Sequence, residues 1–479
     1  MLDFEPVGHQ TCASVGEDYL EFRGENKEVI SPEVNRYGIR ITEVRLYRDV
    51  GSEQNSGMNV AAPVNDQWNY LLSTIWDQMI HLVIRFDGHL DETRLNAAIE
   101  GVVDAEPLIA MCYTETEAPY YRPMEQEMLP LIYSVIRTGD RDAALQTLLS
   151  RPTDPLTGPM ARIRLIRSDV DLLCISVNHT ISDAYGVKSL GSLIARLYRA
   201  QAAPSSFRPL KNSHNRSFAG VLRLLPKAVR HEALVKFGEQ QGVWNIPVRS
   251  FVKTNPEYRS VSIAPEILST IKTRARESGV TVNDILLSAY FLTLTEFVSE
   301  SEEKILPVLT SIDLRRYLSP DSFPSLANLS VAFEVPLATQ TGTSLSHIVL
   351  QVHDAMTERK IGHAGIGAAE QICENFSTGY YQLKELLARS ARETSAGQLP
   401  KNPFFSNLGV IPDSVLDYGG LSVTEAFMLP PVEYPPGLGL AASTCQGSLL
   451  LSTGFCSHAL PGDLVSSLLE RMAELLSRY

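Results

Sequence analysis

The chain has 479 residues, 44% hydrophobic and 20% charged, with 55 acidic against 42 basic side chains and a formal net charge of −13. That length holds two or three domains with full cores. The acidic balance excludes nucleic acid and anionic membrane as the main partner, since both select basic surface, though a local basic mouth for a phosphorylated ligand is compatible with it. No apolar run reaches the ~18 residues of a membrane span, and the N-terminus lacks the basic region and apolar core of a secretory leader. Six scattered cysteines without a CxxC pair fit a reduced, cytoplasmic protein.

Residues 1–64 are polar and irregular and read as an N-terminal extension packed on the body, with an alternating stretch at 38–47 as a strand. A first domain, 65–205, opens with a strand from Met79 to Phe86, then a helix capped by Asp91 with Leu95, Ala98, Ile99, Val102 and Val103 on one face. Strands are expected at 108–113 and 129–135, and a short helix at 141–150. Ala161 to Arg167 alternates with period two, and a turn at 168–171 returns the chain into the apolar run Leu172 to Val177, predicting a hairpin. That run stops at His179. Helical spacing of three and four then links Val187, Leu190, Leu193, Ile194, Leu197 and Tyr198. Residues 206–250, rich in Pro, Ser and Asn before a basic helical piece at 222–237, read as a linker.

The second domain, 251–479, begins with a strand at 258–263 and a helix started by Pro265. The helix from Thr281 to Val298 is apolar nearly all round, which predicts a buried central position. Strands follow at 305–312 and 329–335, and helices at 344–359 and within 370–390. The strand end Phe404–Gly409 comes next. Stretches 421–427, 437–442 and 449–455 are expected to complete the second sheet, before a final amphipathic helix at 464–476. Each half mixes strands and helices as an α/β sandwich, and the two halves share a loose element order.

His179 and Asp183 form H-x-x-x-D where a strand has ended and a helix has not begun, a place where a rigid element positions a side chain and no neighbouring strand covers it. Two readings stand. The imidazole takes a proton from a hydroxyl or amine while the carboxylate orients loop or ring, or a loop histidine precedes a helix-capping aspartate. Asp313 and Arg315 end a strand in the other half, as a surface ion pair or as a bridge to Asp183. Ser406 and Asn407 offer hydroxyl and amide donors for an oxyanion, or belong to an ordinary strand-ending turn. There is no G-x-S-x-G elbow and no phosphate-binding G-x-x-x-x-G-K-[ST]; Gly437-Leu438-Gly439 has no helix after it and is not a dinucleotide fingerprint. His9 and Cys12 lack the second pair that a metal site needs.

Four ordered stretches together carry a resemblance: Asp154 to Pro159 with Arg162, the His179/Asp183 motif, Val280 to Leu287, and Ile312 to Tyr317 followed by Asn328-Leu329-Ser330. The chain resembles the chloramphenicol-acetyltransferase-like superfamily of HxxxD acyltransferases, which includes polyketide-associated acyltransferases, alcohol acetyltransferases, wax ester synthases and condensation domains. The resemblance runs from about Asn65 to Tyr479. It implies two α/β sandwich domains facing as a pseudo-dimer, with a central tunnel and His179 halfway along it. It further implies His179 as general base on the acceptor, Asp183 as a structural partner of Arg315, and Asn178, Ser406 and Asn407 as structural or lining residues. The fuller pattern is often H-H-x-x-x-D-G; here Asn178 replaces the first His and Ala184 the Gly, which leans away from peptide-bond condensation.

The first expectation is therefore an acyl-CoA-dependent O-acyltransferase acting on a small natural product or lipid alcohol, less favourably on an amine. It would be monomeric, without a metal or bound cofactor, with acyl-CoA as co-substrate. The alternatives are a condensation-type enzyme with a carrier-protein-bound donor, and a non-catalytic binding protein that retains the fold.

Overall fold

The structure, a computed structural model, describes residues 40–42 and 59–479, except 202–206, 208, 210, 213, 238–241, 299–303, 321–322, 324 and 339–341. Most of the proposed N-terminal extension, with His9 and Cys12, therefore lies outside the described residues; Arg40–Thr42 forms a strand.

The predicted hairpin is present. Ala161–Arg167 pairs antiparallel with Asp171–Asn178, from Ala161 opposite Val177 to Arg167 opposite Asp171. Asp171–Asn178 is also paired on its other side, with Met79–Phe86. All eight of its residues are buried, because both faces of this sheet are covered, and a strand covered on both faces is continuously apolar rather than alternating. One face carries Leu173, Ile175 and Val177 into a core shared with the helices Glu92–Ala105 and Ala184–Ala200. The other carries Leu172 and Cys174 towards Tyr258 and Leu429 of the second half. Cys174 is thus a small core residue. The six-stranded sheet is completed by Tyr133–Arg137 and Arg40–Thr42 at one edge and Val423–Leu429 at the other.

The second six-stranded sheet runs in the order Ser330–Ala338, Ile305–Asp313, Phe404–Val410, Gly439–Cys445, Ser448–Cys456, Pro256–Ile263. Helix Val282–Val298 is buried without interruption from Asp284 to Thr295, as its unbroken apolar sequence requires, and it packs with Leu345–Ile361 and Gly462–Arg478. Two α/β lobes therefore face each other, as expected.

Three expectations change. Residues 108–113 split into a short 3-10 turn, Pro107–Ala110, and a strand, Met111–Thr114. The strand expected at 129–135 lies later, at Tyr133–Arg137, because Pro130 holds the preceding residues in a 3-10 turn. The larger change is Val423–Leu429. It does not complete the second sheet but crosses to the first and pairs antiparallel with Met79–Phe86, Val423 opposite Phe86 and Leu429 opposite His81. Met79–Phe86 would otherwise present an open apolar edge, and the crossing strand buries Ala426, Met428 and Leu429 there. A strand's own pattern says that it pairs, not with which sheet.

Candidate active site

His179 is held at the first residue beyond Asp171–Asn178. Its backbone N–H donates to the Gln78 carbonyl at 2.6 Å. Gln78 is itself buried and left-handed, with φ +61°, a conformation that costs a non-glycine residue of order 1–3 kcal/mol. Asn178 turns away from the opening. Its side chain accepts from Thr180 N–H at 3.0 Å and donates to Thr153 Oγ1 at 3.2 Å. It is a loop fastener inside the first lobe, not a lining residue.

Asp183 serves two functions that the sequence posed as alternatives. Its Oδ1 accepts from Gly186 N–H at 3.0 Å and caps Ala184–Ala200. Its Oδ2 accepts from Arg315 Nη1 at 2.7 Å and from Leu329 N–H at 2.8 Å. Asp183 and Arg315 are both buried. Burial alone pushes the Asp183 carboxyl up, but the Arg315 guanidinium and the two backbone N–H donors hold it below the usual carboxylate range. Arg315 also contacts Asp313 at 3.1 Å and donates to the Ala327 carbonyl at 2.9 Å. Asp313, more exposed, is pushed up by burial and by the negative charge of Asp183. The expected bridge is thus the hub that fastens the lobes together. Ala184 is the first residue of the helix and needs no special backbone. Glycine is required instead at 186, where a Cβ would lie 2.3 Å from Ser182 Oγ and 3.0 Å from the Ser325 carbonyl.

The His179 ring is gripped from the second lobe. Asn328, fully buried, places Nδ2 2.7 Å from His179 Nδ1 and 2.7 Å from the His179 carbonyl. Trp76 stacks beside the imidazole, with ring centroids 6.1 Å apart and planes 15° from parallel. Burial pushes the imidazole below its ordinary range; the Asp183 charge and the backbone groups of His179 and Ser182 oppose this without reversing it. The ring is therefore neutral near pH 7.

The ring faces a cavity of about 310 Å³ between the lobes, lined by His179, Trp76 and Lys188 from the first half and by Ser311, Ser406, Asn407 and Glu433 from the second. Ser406 and Ser311 hydroxyls lie 3.1 Å apart. The Asn407 oxygen accepts Gly409 N–H at 3.0 Å, which leaves its amide nitrogen as the donor. Lys188 spans the seam, donating to the Leu408 carbonyl at 2.6 Å. A groove of about 650 Å³ adjoins the cavity at Tyr185 and Lys188 and runs along Ala184–Ala200 past Arg196 and Arg199.

The structure therefore brings together His179, Asp183, Arg315, Ser406 and Asn407, and leaves Asn178 behind the site. Arg162 donates to the Arg151 carbonyl, away from the cavity. Sequence reasoning quoted Asn328 within a motif without giving it a role. It missed Trp76 and Glu433, which meet through a bridge between segments far apart in the chain; no local pattern marks either. The arrangement offers a neutral imidazole and hydroxyl and amide donors around a cavity between the lobes, which suits proton handling and oxyanion stabilisation during acyl transfer.

Comparison with known proteins agrees. The condensation-domain family model matches residues 73–305. Tyrocidine synthase 2 of Brevibacillus parabrevis is 22% identical over 418 residues, covering 84% of this chain and 11% of the synthase, so the chain spans about a tenth of that relative's length. Among solved structures, the first condensation domain of the calcium-dependent antibiotic synthetase, in complex with a substrate analogue, superposes with a TM-score of 0.66 at 16% identity, covering 88% of this chain and 97% of that one. The TRI3 trichothecene 15-O-acetyltransferase of Fusarium sporotrichioides gives 0.63 at 11% identity, with coverages of 88% and 97%. At these identities the likeness to solved structures is one of fold. Among the described residues no helix is long and apolar enough to cross a membrane.

Proposed function

We propose that this chain, part of which matches the condensation-domain model and whose fold is that of condensation domains, is a condensation-type transferase whose acyl or peptidyl donor is a carrier-protein thioester. The observation that carries this is the neutral, cross-lobe-gripped His179 in a cavity lined by both lobes. The nucleophile enters the cavity and attacks the thioester carbonyl. A C–N or C–O bond forms, the C–S bond breaks, and the nucleophile's proton ends on the departing thiol. No covalent acyl-enzyme is required. His179 handles that proton in the expectation drawn from the resemblance, and Ser406 and Asn407 supply donors to the oxyanion. Asp183 and Arg315 hold the loop and do not touch the reacting atoms. The peptide-antibiotic synthases among the relatives support a carrier-protein donor and an amine acceptor.

One observation favours a second reading, acyl-CoA as donor. In a chain of net charge −13, the groove next to the cavity presents Lys188, Arg196 and Arg199 against Asp417, a local excess of positive charge suited to phosphates.

The test offers the purified chain an acylated carrier protein or the matching acyl-CoA, with amine and alcohol acceptors, and follows free thiol. Saturable release from the carrier protein, lost in His179→Ala, supports the proposal. Release from acyl-CoA alone supports the second reading. Ligand binding that survives His179→Ala, with no thiol from either donor in the wild type, makes the chain a non-catalytic binding protein.

A further inference from the structure

We propose that Glu433, Trp76 and Phe404 form a cation subsite in the cavity beside His179, which takes an ammonium group that the substrate carries in addition to its reacting atoms. The proposal rests on the transferase reading and adds a class of substrate to it.

The backbone sets Trp76 and Glu433 side by side. They face each other across an antiparallel bridge, and directly opposed residues of such a pair keep their Cβ atoms about 4.5–5.5 Å apart. Hydrogen bonds on both sides fix the bridge. Asp77 N–H donates to the Val432 carbonyl at 3.0 Å, and Tyr434 N–H donates to the Ile75 carbonyl at 2.9 Å. Asp77 Oδ1 accepts Val432 N–H at 2.8 Å. The Phe404 ring meets Trp76 at 80°, with centroids 6.4 Å apart. All three side chains line the cavity. Two aromatic walls near a right angle, with a carboxylate beside them, suit an alkylammonium ion. The ring faces attract the cation through their quadrupoles, and the carboxylate accepts its N–H groups.

Glu433 is buried, and a buried carboxylate needs a partner. Lys401 supplies one to Oε2 at 2.7 Å and also donates to the Ile75 carbonyl at 3.2 Å. Lys401 is not among the lining residues. Oε2 is buried, whereas Oε1 accepts from no group among the described residues and is the oxygen left to the cavity. The pair therefore turns its negative end inward. Two glycines leave room for it: a Cβ at Gly437 would stand 2.6 Å from Oε2, and one at Gly439 would stand 3.3 Å from Oε1. The Lys401 charge opposes a second cation, but a carboxylate has about four acceptor sites and one ammonium occupies one edge of it. Lys188, the ammonium among the lining residues, is engaged by the Leu408 carbonyl at 2.6 Å.

An ammonium ion has no lone pair. Held by Glu433 and the two rings, the caged nitrogen keeps its proton and is not the nucleophile. The subsite therefore reads a further nitrogen, carried on an alkyl chain by the acceptor or by the acyl donor. His179 stands next to it, with its ring stacked beside Trp76. Diamines and ω-aminoacyl thioesters are substrates of this class.

The test is titration calorimetry, without an acyl donor, of hexylammonium and of its neutral isostere hexan-1-ol into the wild type, Glu433→Gln and Phe404→Leu. Thermal unfolding of each variant confirms folding. The wild type is expected to bind the ammonium about tenfold or more tightly than the alcohol. Glu433→Gln keeps the shape and removes the charge, and should bring that preference towards unity. Phe404→Leu leaves the Glu433–Lys401 pair intact, should lower the preference severalfold, and decides the proposal if Glu433→Gln does not fold. A purely structural ion pair would cost stability in Glu433→Gln and leave the preference where it was. Equal binding of the two probes by the wild type, or an unchanged preference in a folded variant, overturns the proposal. In the transfer assay, a higher kcat/KM for 1,5-diaminopentane than for hexylamine places the cation on the acceptor. A higher value for a 5-aminopentanoyl than for a hexanoyl thioester places it on the donor. Neither preference in an active enzyme also overturns the proposal. The calorimetry needs no turnover, so an inactive wild type counts against the transferase reading while the subsite is still decided.

Discussion

Arg315→Met removes the cation that holds Asp183 and leaves the carboxylate buried with only the Gly186 and Leu329 N–H donors. Removing one partner of a buried ion pair costs about 3–5 kcal/mol, against a typical total stability of about 5–15 kcal/mol, so a loss of roughly 3–5 °C in Tm is expected for a chain of 479 residues. The pH dependence carries the sharper test. In the wild type the folded pKa of Asp183 is depressed. Its contribution is therefore present above the unfolded value of about 3.9 and is lost as pH falls through the folded value. In the variant, burial prevails and the folded pKa rises above the unfolded one. The charged form then destabilises progressively as pH rises. The gap between wild type and variant should already be present near pH 4 and widen towards pH 7.5, measured by urea unfolding at several pH values. Asp183→Asn combined with Arg315→Met should recover part of the loss, since a neutral replacement leaves no buried charge. Asp313, with its side chain 42% exposed, contributes little to either effect. An equal loss at all pH values, or a loss below about 1 kcal/mol at neutral pH, would refute the reasoning.

Asn178→His, which restores the commoner motif, should not raise activity: it strands the Thr180 N–H and Thr153 Oγ1 partners and should cost about 1–3 kcal/mol by denaturant unfolding. Gly186→Ala forces a Cβ against Ser182 Oγ and the Ser325 carbonyl. It should destabilise by about 1–3 kcal/mol and slow transfer by shifting the His179 loop, read from Tm and kcat together. The pH profile of kcat/KM should fall on its acid side at a pH below about 6.5, because burial lowers the His179 pKa. His81, buried and lowered to about 3, stays neutral throughout, so a limb that survives His81→Gln belongs to His179.

Much of the first lobe was legible because its signals are local. Period-two alternation at 161–167, an apolar run to Val177 and helical spacing after Asp183 are read within a dozen residues, and they place His179 at a strand end whatever the rest of the chain does. The unbroken apolar character of 282–298 likewise identifies a buried helix without reference to its neighbours. The crossing of Val423–Leu429 to the first sheet was not legible, since an edge strand is recruited by whatever unpaired apolar edge lies nearest in space.

The site divides in the same way. The sequence by itself determined that an imidazole stands beyond a rigid strand and that an aspartate caps the following helix. Only the tertiary structure decided that the second oxygen of Asp183 reaches Arg315 and that Asn178 faces inward. It also decided that Asn328 grips the ring and that Trp76 and Glu433 close the cavity from opposite halves. The physical reason is range. Backbone periodicity and capping are set by residues three or four apart, whereas side-chain pairing across the lobes is set by packing between segments about 150 residues or more apart in the chain for Asn328 and His179, and nothing in either segment alone encodes which atoms will meet.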